Sequence, residues 1–440
     1  MAAIAAVVLW LVASGALLAL AYRRVLLAAW REPVLRVPVL ILESDDWGYG
    51  PLSQADRLDR IAELLARFRD STGRHPLVTL GVVLAGPDTE RMRVEGCRQY
   101  RRLTITDPRL APVRDAMVRG AARGVFSLQF HGLEHFRADS VIRTAASDGS
   151  VRQWLVGAPF PATEQLPPAL QSRWIDASVL PSKSLPASEA AAAAMEEARV
   201  FAAIFGMAPE VVVPSTFVWT EAVESAWAAA GVRVIVTPGV RNESRDAQGR
   251  VVASGPAFFN GQTGPHGVTY VVRDAYFEPS LGQTHEQGVA ALRAKAMAAR
   301  PALLEMHRLN FIGDATETQK ALEELEKLLR AVTASFPSLR FMSTAELARQ
   351  CRERSPLIDP RPRARLHFLI RRLAEVSRLR KLAWATGVAL PVWLAYVLTR
   401  PGDRAFPEPD RVMPAAALRA EVSDPAALPD RGKHEDRTEA

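Results

Sequence analysis

Cysteine is scarce in this 440-residue chain. Only Cys97 and Cys351 occur, and they stand far apart in no recognisable motif. A zinc site built on cysteine needs several closely spaced thiol ligands, so this class of metal site is excluded. Two isolated cysteines say little about the redox compartment of the protein.

Signatures of nucleic-acid binding are also lacking, although the formal net charge is +7. We find no zinc knuckle, no aromatic RNA-binding signature and no helix-turn-helix pattern. The arginines instead cluster beside apolar segments at both ends of the chain, which points to a membrane surface. We therefore expect a membrane as a partner and no nucleic acid.

Charged side chains are missing from residues 2–22, a stretch about long enough to cross a bilayer. No basic region precedes this stretch, and it is long for the apolar part of a signal peptide. These features favour an uncleaved membrane anchor over residues 1–23. A cleaved signal peptide is the alternative, because Ala19-Leu20-Ala21 resembles a cleavage site.

The composition shifts again near the other end of the chain. A basic juxtamembrane segment covers residues 356–381, and the uncharged stretch 382–399 is a candidate second membrane helix. A buried hairpin or an amphipathic helix in the interface is the alternative for that stretch. Residues 400–440 are rich in proline and charge, which predicts a disordered tail. Because positive charge accumulates on the inner side of membrane segments, we expect an inner (cytoplasmic) membrane protein with its central domain on the cytoplasmic face.

The central residues 36–355 alternate between short apolar runs and amphipathic helical patterns. This alternation predicts parallel βα units. Polar residues follow at least three of the predicted strands, which favours a (β/α) barrel, complete or distorted, over an open sheet. Residues 136–186 are rich in proline, serine and tryptophan, and we expect them to form a long irregular loop region around the site.

The polar residues at these strand ends suggest metal-dependent chemistry. Asp45 and Asp46 follow the first apolar run, and His131 ends another, with His135 four residues further on. That spacing can place both imidazoles on one face of a helical turn. One carboxylate and two imidazoles leave positions open on a divalent metal, so we predict Asp46, His131 and His135 as ligands. Asp45 would act as general base, and His307, at a later strand end, as general acid.

Each motif also has a plainer interpretation. The carboxylate pair can be a polar turn after a strand, the paired histidines can be surface residues, and His307 can be a satisfied core histidine. Residues 131–135 also spell H-x-x-E-H, a metalloprotease signature, although Gly132 is a poor residue for the stable helix that this signature needs. The prediction of a catalytic site depends on three motifs that all fall at strand ends.

Together these motifs resemble the polysaccharide deacetylases of the NodB-homology type, carbohydrate esterase family 4. The resemblance covers roughly residues 37–350, and a separate branch of deacetylase-like proteins is more similar still. The matching segments are Glu43-Ser44-Asp45-Asp46-Trp47-Gly48, Gln129-Phe130-His131-Gly132, His131-x-x-x-His135, Phe277-Glu278-Pro279-Ser280, Leu304-Glu305-Met306-His307, His307-Arg308-x-Asn310-Phe311-Ile312-Gly313 and Phe341-Met342-Ser343.

This resemblance implies a distorted (β/α) barrel of the NodB type, here with membrane helices at its termini. It implies a divalent metal, commonly zinc, and hydrolysis of an N-acetyl group on an amino sugar of a polysaccharide or a lipid-linked glycan. A carbohydrate or glycolipid is therefore the expected substrate. The resemblance assigns Asp45 as base, His307 as acid, and Asp46, His131 and His135 as metal ligands.

The chain departs from the family pattern in three places. The usual motif is Thr-Phe-Asp-Asp-Gly, whereas here Trp47 separates Asp46 from Gly48. The usual Arg-x-Pro motif, whose arginine orients the base, has no match near Pro214, and the Asp-x-x-Asp-Trp motif is absent. We expect Arg273 or Arg308 to replace that arginine. An inactive, membrane-tethered glycan-binding protein is the alternative to an enzyme, and in either case Trp47, Trp219 and Phe311 are candidates to stack on sugar rings. The candidate substrate-binding residues are Trp47, Ser215, Trp219, Arg273 and Arg308.

Overall fold

The computed structural model describes residues 1–255 and 257–400. Apart from Arg400, the tail predicted for residues 400–440 therefore lies outside the described residues. The strands of the described part are β1 (Val39–Gly48), β2 (Val78–Val83), β3 (Ala85–Pro87), β4 (Arg102–Thr104), β5 (Phe126–Gly132), β6 (Ile175–Asp176), β7 (Lys183–Ser184), β8 (Val211–Val212), β9 (Val234–Thr237), β10 (Arg241–Arg245), β11 (Val251–Ser254), β12 (Thr269–Val272), β13 (Ala275–Tyr276), β14 (Ala302–His307) and β15 (Arg340–Phe341).

Helices surround and extend these strands. They are α1 (Ala2–Ala21), α2 (Arg23–Arg31), α3 (Gln54–Leu65), α4 (Thr89–Val94), α5 (Ala111–Ala122), α6 (Ala138–Ala145), α7 (Gly149–Val156), α8 (Ala187–Phe205), α9 (Glu221–Ala229), α10 (His285–Met297), α11 (Ala315–Ser335), α12 (Thr344–Glu353), α13 (Pro362–Leu373), α14 (Ser377–Ala385) and α15 (Ala389–Leu398).

The large sheet forms a distorted (β/α) barrel, as predicted. Its strand order is β12, β9, β8, β5, β2, β1, β14 and β13, and every neighbouring pair is parallel. The outer strands β12 and β13 are consecutive in the chain and are joined only by Arg273 and Asp274, so this short link connects the two edges of the sheet. Because the strands are parallel, their carboxyl ends share one edge, where ligands bind in folds of this type.

The centre of the sheet is β1, which lies between β2 and β14. Its apolar residues 39–42 are at most 1% exposed, as expected for a parallel strand that is covered on both faces. Helix α3 packs its buried Leu58, Ile61 and Leu65 toward this core at helical spacing. The strand continues through the carboxylate pair to Gly48, further than the apolar run indicates.

The expectation of an irregular region at residues 136–186 is wrong in part. Helices α6 and α7 pack against each other, and α4 packs against α7, around a separate apolar cluster that includes Phe136, Val141 and Trp154. Each of α6 and α7 has eight residues. Two helical turns are too short for the period of apolar residues to stand out in the sequence.

The terminal helices lie at the opposite end of the barrel from the carboxyl edge. Helix α2 leads into β1, and the amide of Asp359 donates to the carbonyl of Val34, just before that strand. Arg371 in α13 donates to the carbonyl of Met297, which precedes β14. Since α13 also packs against α2, the basic segment at 356–381 is joined to the amino-terminal end of the barrel.

Among the described residues, α1 is the one single helix long and apolar enough to cross a membrane, with a mean hydropathy of 2.5. A signal sequence has the same composition and position, so this property alone leaves both interpretations of α1 open. The candidate second membrane segment at 382–399 is not one continuous helix. It is divided between α14 and α15, which are bent by 110°.

We predict that Trp47→Ala destabilises the fold by about 3–5 kcal/mol, because it removes a large buried side chain from the core. Trp47 is 0% exposed, and its ring stacks on Phe311 with the centroids 6.2 Å apart. The free energy of unfolding should be measured in denaturant, with Val118→Ala as the control. Val118 is 45% exposed, so this control should change stability by no more than about 0.5 kcal/mol. Equal effects of the two substitutions would contradict the packing described.

Candidate active site

A bulge in β1 directs its two adjacent carboxylates to different partners at the same edge of the barrel. The register against β2 shifts between Ser44 and Trp47, which places one extra residue in β1. In a regular strand, neighbouring side chains point to opposite faces of the sheet. Here Asp46 adopts a φ of 73°, which is uncommon outside glycine. Asp45 consequently contacts an arginine, while Asp46 faces two histidines.

Asp46, His131 and His135 converge on one point. Oδ1 of Asp46 lies 3.3 Å from Nε2 of each histidine, and one potential ligand atom from each residue lies within 4.8 Å of the others. Ligand atoms at about 2.0–2.2 Å from a tetrahedral ion are about 3.3–3.6 Å apart, so this spacing suits zinc. Oδ1 of Asp46 is also buried without a hydrogen-bond partner in the described part of the chain. The three residues therefore fit a divalent metal.

The two histidines reach this point from the carboxyl end of β5. His131 lies in the strand, and Gly132, with a φ of 126°, turns the chain toward His135. The prediction that they share one face of a helical turn is therefore wrong. Nδ1 of His131 donates to the carbonyl of Val213 over 2.9 Å, which leaves Nε2 free for a metal. Burial lowers the pKa of His135 to about 4, so its imidazole is neutral at pH 7, as a ligand must be.

Asp45 is held by Arg273. Nη2 of Arg273 donates to Oδ2 of Asp45 over 2.7 Å, and both side chains are 1% exposed. Although burial opposes ionisation, Arg273 holds the pKa of Asp45 below its usual range. Space for the carboxylate comes from Gly81 in β2, where a Cβ would lie 2.3 Å from Oδ1 of Asp45. That oxygen has no hydrogen-bond partner among the residues described, so it is available to accept a proton.

Arg273 also contacts two further buried carboxylates. Its Nη1 lies 3.2 Å from Oε2 of Glu43, and its Nε lies 3.1 Å from Oε2 of Glu305. Burial raises the pKa of Glu43 above its usual range and that of Glu305 to about 7. Of the two arginines considered from the sequence, Arg273 is therefore the one that contacts the proposed base.

A second group of potential metal ligands comprises Asp45, Glu305 and His307. The guanidinium of Arg273 already contacts both of these carboxylates and supplies the positive charge there. We therefore assign the metal to the group around Asp46.

His307 is paired with a carboxylate that the sequence analysis gave no role. Its Nδ1 lies 2.5 Å from Oε1 of Glu278, whose other oxygen accepts from Asn310, and Ser280 donates to Asn310 over 2.8 Å. Although burial opposes protonation, Glu278 raises the pKa of His307 well above 6.5. The imidazole is thus protonated at neutral pH, as a general acid requires.

Two sequence signals point to Glu278: its place in the matching segment Phe277-Glu278-Pro279-Ser280 and its position two residues after β13. That strand has two residues, which is too few to show a strand pattern in the sequence.

The two tryptophans proposed to stack on sugars are 0% exposed. Nε1 of Trp47 donates to Ser44 over 2.8 Å, and Nε1 of Trp219 donates to Glu224 over 3.4 Å. Neither ring offers a face to a ligand, so the predicted stacking role does not fit their burial.

Ser215 and Arg308 are also fully buried. The hydroxyl of Ser215 donates to the carbonyl of His131 over 3.0 Å. Arg308 makes two hydrogen bonds of 2.8 Å to the carboxylate of Glu164 and one of 2.7 Å to the carbonyl of Tyr49. These contacts hold the walls of the site together, and neither side chain is exposed to a substrate.

A strained turn after β8 adds a residue that the sequence analysis missed. Thr216 and Phe217 adopt φ values of 52° and 54°, a conformation rare for bulky or β-branched residues. The Phe217 ring lies 4.9 Å from the Arg273 guanidinium. Oγ1 of Thr216 is buried with no hydrogen-bond partner among the described residues. Strain of this kind concentrates at functional sites, so Thr216 is a candidate substrate contact.

The H-x-x-E-H string does not form a metalloprotease helix. Its first histidine lies within a strand, and Glu134 is 0% exposed. The Glu134 carboxylate pairs with the guanidinium groups of Arg102 and Arg173. It is therefore committed to ion pairs and is not free to act as a general base.

No family model and no curated protein sequence matches the chain. Among solved structures, the chain is similar to 4-alpha-glucanotransferase from Thermococcus litoralis, with 11% identity and a TM-score of 0.37, over 71% of this chain and 40% of that one. It is also similar to the peptidoglycan deacetylase PdaC from Bacillus subtilis, with 10% identity and a TM-score of 0.32, over 72% of this chain and 93% of that one.

A third similar structure is a CE4 family pseudoenzyme from Bacillus anthracis, with 9% identity and a TM-score of 0.31, over 71% of this chain and 66% of that one. At these identities and TM-scores, the similarities assign no activity to the chain. The chemistry of the site has to be inferred from its own geometry.

We predict that Glu278→Gln shifts the alkaline limb of kcat/KM to lower pH by about 1–3 units, because it removes the charge that raises the pKa of His307. A general acid works while protonated, so activity falls as the pH rises through that pKa. The pH profile of turnover measures the limb, and NMR titration of His307 measures the pKa directly. The exposed Glu63→Gln is the matched control and should leave both unchanged. An unshifted limb in Glu278→Gln would remove Glu278 from this role.

Proposed function

We propose that this protein is a metal-dependent deacetylase that hydrolyses an N-acyl group, typically N-acetyl, on an amino sugar of a polysaccharide or a lipid-linked glycan. The observation that carries the proposal is the convergence of Asp46, His131 and His135 beside an unpartnered Asp45 oxygen. A carboxylate and two imidazoles are a ligand set that leaves positions open for water and substrate.

The proposed metal is a divalent ion, with zinc favoured by the ligand set and spacing. Held by Asp46, His131 and His135, it would supply polarisation of the acyl carbonyl and a lowered pKa for water. The proximity of Oδ1 of Asp46 to both Nε2 atoms supports this assignment.

Asp45 is the proposed general base. It is ionised because Arg273 lowers its pKa, and its Oδ1 is free to take a proton from the attacking water. The water oxygen then forms a bond to the acyl carbon. Arg273 acts as a positioning residue, since it holds Oδ2 and leaves Oδ1 free.

His307 is the proposed general acid. It lies directly opposite Asp45 in the register of β1 and β14, so both side chains reach the same edge of the barrel. When the carbon–nitrogen bond breaks, His307 donates its proton to the leaving nitrogen, which departs as an amine while acetate remains. Glu278 keeps the imidazole protonated and oriented through Nδ1.

The sugar part of the substrate rests on the resemblance of the motifs to polysaccharide deacetylases. Within the site, Thr216 is the proposed contact for a polar group of the substrate, because its buried hydroxyl lacks a partner among the described residues. The arginines after the first apolar segment favour a cytoplasmic position for the barrel. That position would suit a glycan still linked to its lipid carrier.

We predict that Asp45→Asn lowers acetate release by about 10²–10⁴-fold while the full chain in detergent keeps its bound metal, because Asp45 is not a proposed ligand. His135→Ala should lose both the metal and the activity, because it removes one of three ligands. Metal content is measured by elemental analysis, and acetate release is measured on N-acetylated glycan oligosaccharides.

Asp56→Asn is the control for these variants, since Asp56 is exposed on α3. It should retain both metal and turnover. Substantial activity in Asp45→Asn would exclude Asp45 as the base. Glycan binding by the parent chain without bound metal or turnover would favour the inactive glycan-binding alternative.

A further inference from the structure

Exposed apolar side chains are concentrated on two neighbouring parts of the molecule. One is α1, and the other is the C-terminal hairpin, which we define as α14, the bend after it and α15 (residues 377–398). Isolated apolar residues are normal on a protein surface, but a contiguous set of this size marks an interaction site. The residues exposed by 50% or more include Val8, Leu9, Trp10, Leu17 and Leu20 in α1, and Trp384, Leu390, Trp393, Leu394 and Leu398 in the hairpin.

The two parts contact each other at the bend of the hairpin. Nε1 of Trp10 donates to the carbonyl of Thr386 over 3.0 Å. Thr386 directly follows the end of α14, so this hydrogen bond satisfies a carbonyl at the break between α14 and α15. A Cβ placed on Gly387 would lie 3.4 Å from Cδ2 of Leu11. Helix α1 thus packs on a segment from the other end of the chain. This contact favours an α1 that stays in the mature protein over a cleaved signal peptide.

Neither helix of the hairpin is long enough to cross a bilayer alone, and the bend between them keeps the two from forming one straight span. Its helices of nine and ten residues are about 14 and 15 Å long, against about 30 Å for the hydrocarbon core. The bend of 110° occurs at Gly387, which has a φ of 80°. After the bend, α15 returns to the start of α13, where Arg363 donates to the carbonyl of Leu398 over 2.8 Å. The chain therefore leaves α13 and comes back to it.

Cationic side chains surround the apolar parts where they join the barrel. These side chains are exposed and form no ion pair with any described residue: Arg23, Arg24, Arg31, Arg378 and Lys381. Exposed Trp30 and Trp384 lie in the same segments. Arginine, lysine and tryptophan are the residues that contact headgroups at a membrane interface, and the positive charges complement anionic lipids.

We propose that α1 and the C-terminal hairpin form one membrane-docking base for a bilayer that contains anionic lipids. In this base α1 crosses the bilayer, while the hairpin enters it beside α1 and leaves on the side of entry. Arg400, just after the hairpin, is then on the same side of the membrane as the barrel. A hairpin that crossed would place them on opposite sides.

The first test determines on which side of the membrane each part of the full chain lies. In a background of Cys97→Ser and Cys351→Ala, single cysteines are introduced by Gln248→Cys, in the exposed turn between β10 and β11, and by Ser423→Cys, after the hairpin. Right-side-out and inverted membrane vesicles are treated with an impermeant maleimide, and labelling in detergent gives the total. We expect both cysteines to react in the same vesicle type. Reaction in opposite vesicle types would overturn the proposal.

The second test measures whether the hairpin enters the bilayer. A fluorescent label on Leu394→Cys or Leu398→Cys, in vesicles of phosphatidylcholine and phosphatidylglycerol, should be quenched several-fold more by doxyl-labelled lipid than by aqueous iodide. The same label on Gln248→Cys is the control and should show the reverse order. Two hairpin positions are used so that a folding defect in one variant does not decide the result. Iodide quenching at both hairpin positions equal to the control would overturn the proposal.

Discussion

The ion-pair cluster around Arg273 is the constraint on which both the fold and the site depend. One guanidinium contacts the carboxylates of Glu43, Asp45 and Glu305 at positions that are almost fully shielded from water. Burying charge is unfavourable unless it is paired, so removing the arginine would leave several carboxylates without compensation. Arg273 also belongs to the two-residue link between β12 and β13, the edge strands of the sheet. The residue that connects the two edges of the sheet is therefore also the one that orients the proposed base.

The rest of the site follows from how β1 departs from regular strand geometry. A regular strand would point two adjacent carboxylates to opposite faces of the sheet. The bulge after Ser44 and the positive φ of Asp46 change these directions, and each carboxylate has a separate partner in the site. Gly81 on the neighbouring strand provides the room for Asp45. The strained backbone of Asp46 and the absence of a side chain at Gly81 thus allow Asp45, the proposed proton acceptor, and Asp46, the proposed metal ligand, to take separate positions.

Much of this arrangement could be predicted from the sequence. An apolar run that ends in polar residues is typical of a buried parallel strand with site residues at its carboxyl end. The barrel and the approach of Asp46 to His131 and His135 follow from that pattern. The helical turn proposed for the two histidines was wrong, because their spacing alone does not distinguish a helix from a strand that bends at a glycine. The sequence also suggested that Trp47 and Trp219 stack on sugars. Both rings are instead buried, and their burial depends on packing against segments that are distant in the chain. The pairing of His307 with Glu278 is a tertiary contact. The periodicity of apolar residues within a segment does not predict such a contact.

The two ends of the barrel have opposite surroundings, and this separation limits which sugars can be reached. Helices α2 and α13 adjoin the strand beginnings, whereas Asp46 lies seven residues after Val39 in β1, a path of up to about 23 Å along the strand at about 3.3 Å per residue. With α1 in a bilayer, the catalytic edge opens away from the lipid headgroups. A sugar bonded directly to a lipid phosphate would remain near α2, below the level of the site. If the protein has the proposed function and membrane position, the acylated unit of a membrane-bound glycan would have to be separated from its lipid by further sugars, and glycan length would then limit which substrates reach the site.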